Sequence, residues 1–190
     1  MDRFVARPTP LAGLSVVQRQ RSADARGFFS RLYCIDELAA AAGRPFVVAQ
    51  INHTHTARRG AVRGLHFQHP PHAEDKFVSC LRGEVFDVAV DLRRGSPTFL
   101  KWHAEVLSAD NLKSLFIPQG FAHGFQTLSD HCELIYLHST PYAPAAEGAL
   151  HASDPALAIA WPLAITDISE RDAQHPRITP GFPGISQSSF

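Results

Sequence analysis

The chain has 190 residues, with 18 Lys plus Arg balancing 18 Asp plus Glu. A chain so balanced carries no electrostatic footprint for a nucleic-acid backbone or an anionic membrane surface, and it contains no stretch of about 18 apolar residues to span a bilayer. Its length fits a single domain over residues 1–190 that buries roughly two thirds of its unfolded surface, which leaves a small molecule or another protein as the expected partner.

The N-terminal MDRFVARPTPLAGLSVV places charges and prolines where a signal peptide would carry a continuous apolar run, so a cytoplasmic protein is expected. IDELAAAAGR is the one segment that predicts a helix, with acidic residues in its first turn and Gly43 as its stop. FVVAQIN (46–52), VRGLHFQ (62–68), KFVSCLRG (76–83), EVFDVAVDL (84–92), SLFIP (114–118) and CELIYLHS (132–139) are short, β-branched or aromatic, and bounded by turn residues. In EVFDVAVDL, Phe86, Val88, Val90 and Leu92 share one strand face and predict a core contact, whereas Asp87 and Asp91 lie on the other face with Val85 and Ala89. Many short strands at this spacing predict an all-β sandwich or barrel, and a jelly roll is the version whose interior can hold a ligand. Cys34, Cys80 and Cys132 are odd in number and far apart, as suits reduced packing residues rather than a disulfide framework. PGFPGISQSSF (180–190) reads as a loose tail.

The residue types that carry chemistry cluster in RGLHFQHPPHAEDK (63–76), where His66, His69 and His72 recur every third residue. On a strand, His66 faces the same way as Gly64 and Gln68, opposite Leu65 and Phe67. There it is a general base, a metal ligand or a hydrogen-bonded core histidine. PQGFAHGF (118–125) adds His123 in a pattern reminiscent of the second metal motif of cupin proteins. The first such motif wants two histidines one residue apart on a strand, and Pro70 and Pro71 instead turn the later histidines into a loop, so no metal is expected. Arg26, Arg63 and Lys76 are cations in apolar, turn-rich contexts, either surface charges or the means of holding a diphosphate. Tyr136 alternates with apolar neighbours and is either a core tyrosine or a phenol presented to a cavity.

DARGFFS, QINHT, VRGLHFQ, DKFVSCLRGEVFDVAVDLRRGSPTF, IPQGFAHGFQTLS, ELIYLHSTPYAP and ISERD together resemble the dTDP-4-dehydrorhamnose 3,5-epimerase family over about residues 20–172. The resemblance implies a mainly β, cupin-type jelly roll with a few short helices, no cofactor and no metal. It also implies a homodimer in which an N-terminal strand of one subunit helps build the other's site. The implied substrate is a nucleotide-linked 4-keto-6-deoxy sugar, whose C3 and C5 protons are acidified by the C4 carbonyl and are removed and returned on opposite faces. Carried over by motif, His66 is the base, Asp172 orients it, Tyr136 is the acid and Lys76 stabilises the enolate oxygen. Arg26, Arg31, Gln50, Asn52, Arg63, His123, Glu147 and Arg171 fall on substrate-contact positions, and Tyr142 falls on the tyrosine that stacks on thymine.

Several positions depart from that pattern. Arg31 replaces a glutamate, Ile51 an aspartate, Leu137 a lysine and Pro141 a tyrosine, all expected near the sugar or nucleotide, and HASDP stands where the family has WNDP. An epimerase that inverts only one centre, a metal-dependent cupin using His66, His69, His72 or His123, and a sugar-nucleotide sensor are the competing readings.

Overall fold

The computed structural model describes residues 3–186. The chain passes through β1 (Phe4–Pro8), β2 (Ser15–Arg19), β3 (Arg21–Asp24), β4 (Gly27–Ser30), α1 (Ile35–Ala42), β5 (Gln50–Thr56), β6 (Ala61–Gln68), β7 (Lys76–Arg82) and β8 (Glu84–Asp91). It continues through β9 (Trp102–Ser108), β10 (Lys113–Ile117), β11 (Phe121–Thr127), β12 (Cys132–His138), β13 (Glu147–Ala149), β14 (Asp167–Ile168) and α2 (Glu170–Ala173). A six-stranded sheet ordered β1-β2-β10-β7-β12-β5 lies against a five-stranded sheet ordered β13-β6-β11-β8-β9, as a jelly-roll barrel. Among the described residues, β3 and β4 pair only with each other.

Strand alternation sorts the apolar side chains into three layers. Inside the barrel, Val78, Cys80, Leu115, Ile117 and Leu134 meet Val85, Ala89, Leu107, Phe121 and Phe125 of the facing sheet. Outside the six-stranded sheet, Leu38 of α1 and Phe46 cover Phe77, Phe116 and Leu137. Outside the five-stranded sheet, Leu150, Leu157 and Ile185 cover Leu65, Phe67, Val88, Val90 and Leu92.

Helix α1 forms where its sequence predicts, with Asp36 and Glu37 against the positive end of its dipole and Gly43 ending it in the left-handed region at φ 69°. Four expectations change. The strand expected over 46–52 begins only at Gln50 and runs to Thr56, because Phe46 turns away to bury itself beneath α1. The carboxylate face of β8 is buried like the apolar one, for Asp87 and Asp91 are both fully enclosed. Burial pushes the Asp91 carboxyl up, but hydrogen bonds from Arg93, Ser96 and Thr98 outweigh it and hold the group below the usual carboxylate range. The tail is not loose over its first residues: Ile185 is 3% exposed and bridges Arg93, and Phe182 stacks on Phe99. Covering the outer face of β8 supplies the reason; residues 187–190 lie outside the described residues. Leu137 and Ile51 are not beside the ligand cavity, since Leu137 faces α1 and Ile51 points outward, 57% exposed.

The two sheet strands that carry the central histidines approach unusually closely. A Cβ on Gly64, whose φ is 118°, would lie 2.6 Å from Gly124 Cα. Only glycines allow this contact, which sets His66 of β6 opposite His123 of β11.

Candidate active site

The apolar filling of the barrel stops short of one end and leaves a cavity of about 330 Å³. Alternate residues Gln50, Asn52 and Thr54 of β5, Lys76 of β7, and Tyr136 and His138 of β12 line it from the six-stranded sheet. Arg63, His66 and Gln68 of β6, His123 of β11 and Glu147 of β13 line it from the other. Helix α2 closes one side with Arg171 and Asp172.

His66 Nε2 lies 3.0 Å from Asp172 Oδ1, and the Gly64 N–H donates to Asp172 Oδ2 at 3.1 Å. The Asp172 backbone is fixed in turn by Ser169, whose hydroxyl caps α2. Burial pushes the Asp172 carboxyl up, yet the hydrogen bonds from His66 and Gly64 and the neighbouring histidine charges hold it well below the usual carboxylate range. An ionised carboxylate on Nε2 leaves Nδ1 as the ring nitrogen available to take a proton.

Tyr136 stands on the opposite wall, its ring in the barrel core and its phenol oxygen accepting a hydrogen bond from Thr54 Oγ1 at 3.4 Å. Burial pushes its pKa well above that of an ordinary tyrosine, so the phenol stays protonated across the neutral range. Lys76 Nζ donates to the His66 carbonyl at 3.1 Å and pairs with Glu74 Oε1 at 3.1 Å, linking the two sheets with only 8% of its side chain exposed. Glu74 Oε2 accepts from Gln68 at 2.9 Å and lies 3.2 Å from His138 Nδ1. His123 Nε2 lies 2.8 Å from the buried Asp87 Oδ1, which fixes its ring edge-on to Tyr136.

At the rim, Gln50 accepts the Tyr142 N–H at 2.9 Å and donates to Asn52 at 3.0 Å. The Tyr142 hydroxyl donates to Glu147 at 3.0 Å, and Glu147 also pairs with Arg171. Arg63 donates to Thr56 Oγ1 at 3.0 Å.

Eleven of the thirteen residues singled out in the sequence thus line one cavity, namely His66, Lys76, Tyr136, Asp172, Gln50, Asn52, Arg63, His123, Tyr142, Glu147 and Arg171. Arg26 and Arg31 do not join them within one chain. Arg26 sits at the tip of the β3–β4 hairpin, 89% of its side chain exposed, and pairs with Asp24. Arg31 pairs with Glu37 of α1 at 2.5 Å.

Sequence reasoning missed Thr54, Gln68, His138 and His175 as members of the site. The period-two alternation from Asn52 and Tyr136 marks Thr54 and His138, and that from His66 marks Gln68. His175 carries no such signal: its Nε2 lies 3.2 Å from both His66 Nε2 and Asp172 Oδ1 only because α2 folds back onto β6. His66, Asp172 and His175 are also the one group of three potential metal donors found together among the described residues. His69 and His72 fall in the turn after β6, where the two prolines end the strand.

A jelly roll whose cavity holds a histidine on one sheet, backed by a helix carboxylate, and a protonated phenol with a lysine on the other has the groups of an isomerase that moves protons. The comparisons give the particular family. The dTDP-4-dehydrorhamnose 3,5-epimerase family model matches residues 8–179, and the chain belongs to that family. It is 40% identical over 169 residues to the dTDP-4-dehydrorhamnose 3,5-epimerase of Salmonella typhimurium, covering 88% of this chain and 92% of that one. It is 42% identical over 166 residues to the dTDP-4-dehydrorhamnose 3-epimerase of Streptomyces niveus, covering 87% and 80%. The solved epimerase of Legionella pneumophila in complex with dTDP-4-keto-L-rhamnose superposes with a TM-score of 0.89 at 36% identity, covering 97% of this chain and 99% of that one.

Proposed function

We propose that the chain inverts C3 and C5 of a dTDP-linked 4-keto-6-deoxyhexose, using its own side chains for each proton transfer. The observation that carries this reading is the placement of His66, backed by Asp172 of α2, and Tyr136 on opposite sheets around one cavity. His66 Nδ1 takes the proton next to the carbonyl, and the ionised Asp172 stabilises the imidazolium. The Lys76 ammonium offsets the charge that develops on the enolate oxygen. Tyr136 returns a proton from the far face, which inverts the centre. Gln50, Asn52, Arg63, His123 and Arg171 hold the sugar and diphosphate, and Tyr142, half exposed at the rim beside Glu147, stacks on the base.

The cavity is completed by a second copy of the chain. The β3–β4 hairpin pairs with no other strand among the described residues, exposes Phe28 (62%) and Phe29 (59%), and carries Arg26 at its tip. A homodimer that inserts this N-terminal segment into its partner accounts for the exposed phenylalanines and delivers Arg26 and Arg31 to substrate. We place the protein in the cytoplasm, in keeping with its free cysteines; no described helix is long and apolar enough to cross a membrane.

NMR of the dTDP-linked 4-keto-6-deoxyglucose incubated with the protein reads the configuration at each carbon. Inversion at both C3 and C5 is expected. Inversion at C3 alone would assign the single-centre chemistry for which the Streptomyces niveus relative is named, and no inversion would remove the epimerase reading.

A further inference from the structure

His175 sits where nothing in the epimerisation requires a second imidazole. Its Nε2 lies 3.2 Å from His66 Nε2 and 3.2 Å from Asp172 Oδ1, and the third side of this triangle, His66 to Asp172, is 3.0 Å. Two N–H groups converging on one carboxylate oxygen from such nearby positions crowd each other, and the rings meet through their Nε2 edges with centroids 5.3 Å apart. The same triangle suits a cation. A point about 1 Å above its plane lies about 2 Å from all three donors, the length of Zn–N and Zn–O bonds, with ligand angles of roughly 95–105° that approach the tetrahedral geometry zinc favours.

We propose that His66, Asp172 and His175 bind a divalent transition-metal cation of the zinc type, and that its occupation switches the epimerase off. The inhibitory half rests on the reading of His66 as the base. Coordination through Nε2 needs the lone pair there, so the Nε2 proton leaves and the neutral ring carries its hydrogen on Nδ1. A ring in that tautomer has no lone pair left to take a proton from the sugar.

The triangle lies where two cavities adjoin, with His66 and Asp172 lining the first. His175 borders a second cavity of about 580 Å³, lined also by His69, Glu147 and Arg177, which meets the first at Arg171. The Gly64 N–H holds Asp172 in place through Oδ2, leaving Oδ1 for the ion. Neither His66 Nδ1 nor His175 Nδ1 has a protein partner among the described residues, so the outer support that deepens permanent zinc sites is missing. The ion is therefore exchangeable and removed by chelator.

Isothermal titration of chelator-stripped protein with Zn²⁺, without substrate, tests the site. Saturable binding of one ion per chain is expected, with affinity lowered at least tenfold in His175→Ala and in His175→Gln, each checked for native circular dichroism. No saturable binding, or binding unaltered in both variants, overturns the proposal. With sugar nucleotide present, Zn²⁺ at saturation is expected to stop proton exchange in the wild type and EDTA to restore it; exchange undiminished by bound Zn²⁺ overturns the inhibitory role. The titration judges the metal site even if no exchange occurs at all, an outcome that would refute the epimerase reading instead.

Discussion

His66 and Asp172 are 106 residues apart in the chain and meet at 3.0 Å, the imidazole on a central strand and the carboxylate on a one-turn helix near the C-terminus. Losing the carboxylate leaves the imidazole without its orienting acceptor and without charge compensation once protonated. Asp172→Asn is expected to lower kcat by roughly 10²–10⁴-fold, the usual range for general acid–base groups, with KM much less affected. Steady-state kinetics on the 4-keto sugar nucleotide checks this, and an unchanged kcat would detach Asp172 from the chemistry.

Removing the acid should have a different signature from removing the base. In Tyr136→Phe, His66 still takes the proton and can return it, or a solvent deuteron, to the face it came from. Recovered substrate in heavy water is then expected to carry deuterium without inversion. Net inversion at the wild-type rate would assign the acid elsewhere.

Two pH effects follow from the burial of these groups. The Tyr136 phenol is raised above its ordinary value near 10, so the wild-type kcat is expected to show no alkaline fall below about pH 10 from loss of the phenol proton. In the opposite direction, Asp91 and Asp172 are held below the carboxylate range. Their stabilisation is present above about pH 4 and is lost as pH falls through their lower folded-state values. Urea midpoints are expected to fall on acidification below about pH 4, and less steeply in Asp91→Asn.

Leu137 gives a test of the layering. It is 2% exposed beneath α1, in contact with Phe77 and Leu38's cluster, and faces away from the cavity. Leu137→Ala is expected to cost about 2–5 kcal/mol, or roughly 4–20 °C in Tm for a chain of this size, while KM stays near wild type. A large rise in KM with native Tm would return this position to the substrate surroundings.

The hairpin supplies a test of assembly. Phe28→Ser with Phe29→Ser removes the exposed apolar surface of β4, and light scattering after gel filtration is expected to shift from dimer to monomer. A wild-type chain that is already monomeric would remove the shared-site arrangement.

Much of the fold is legible in the sequence. Short alternating runs such as Cys132–His138 marked the barrel, and alternation set His66 on the strand face of Gly64 and Gln68, whereas the roles of Lys76 and Tyr136 came only from the family resemblance. What stayed hidden was long-range. Nothing local says that Asp87 and Asp91 are enclosed, since the burial depends on β11 and on the turn that carries Ser96 and Thr98. Nothing local places His175 against His66, because that contact is made by a helix whose position is set by its own cap and by Gly64. Family resemblance pointed to Leu137 as a ligand neighbour, but strand parity sends it to the opposite face from Tyr136.

The most direct test follows the sugar protons themselves. The dTDP-linked 4-keto-6-deoxyglucose is incubated in heavy water with the wild type and with His66→Ala, and deuterium at C3 and C5 is read by NMR. Deuterium at both carbons with the wild type, and at neither with His66→Ala, is the expected result. Exchange that persists in His66→Ala, or that is missing from the wild type, would contradict His66 as the base of the reaction.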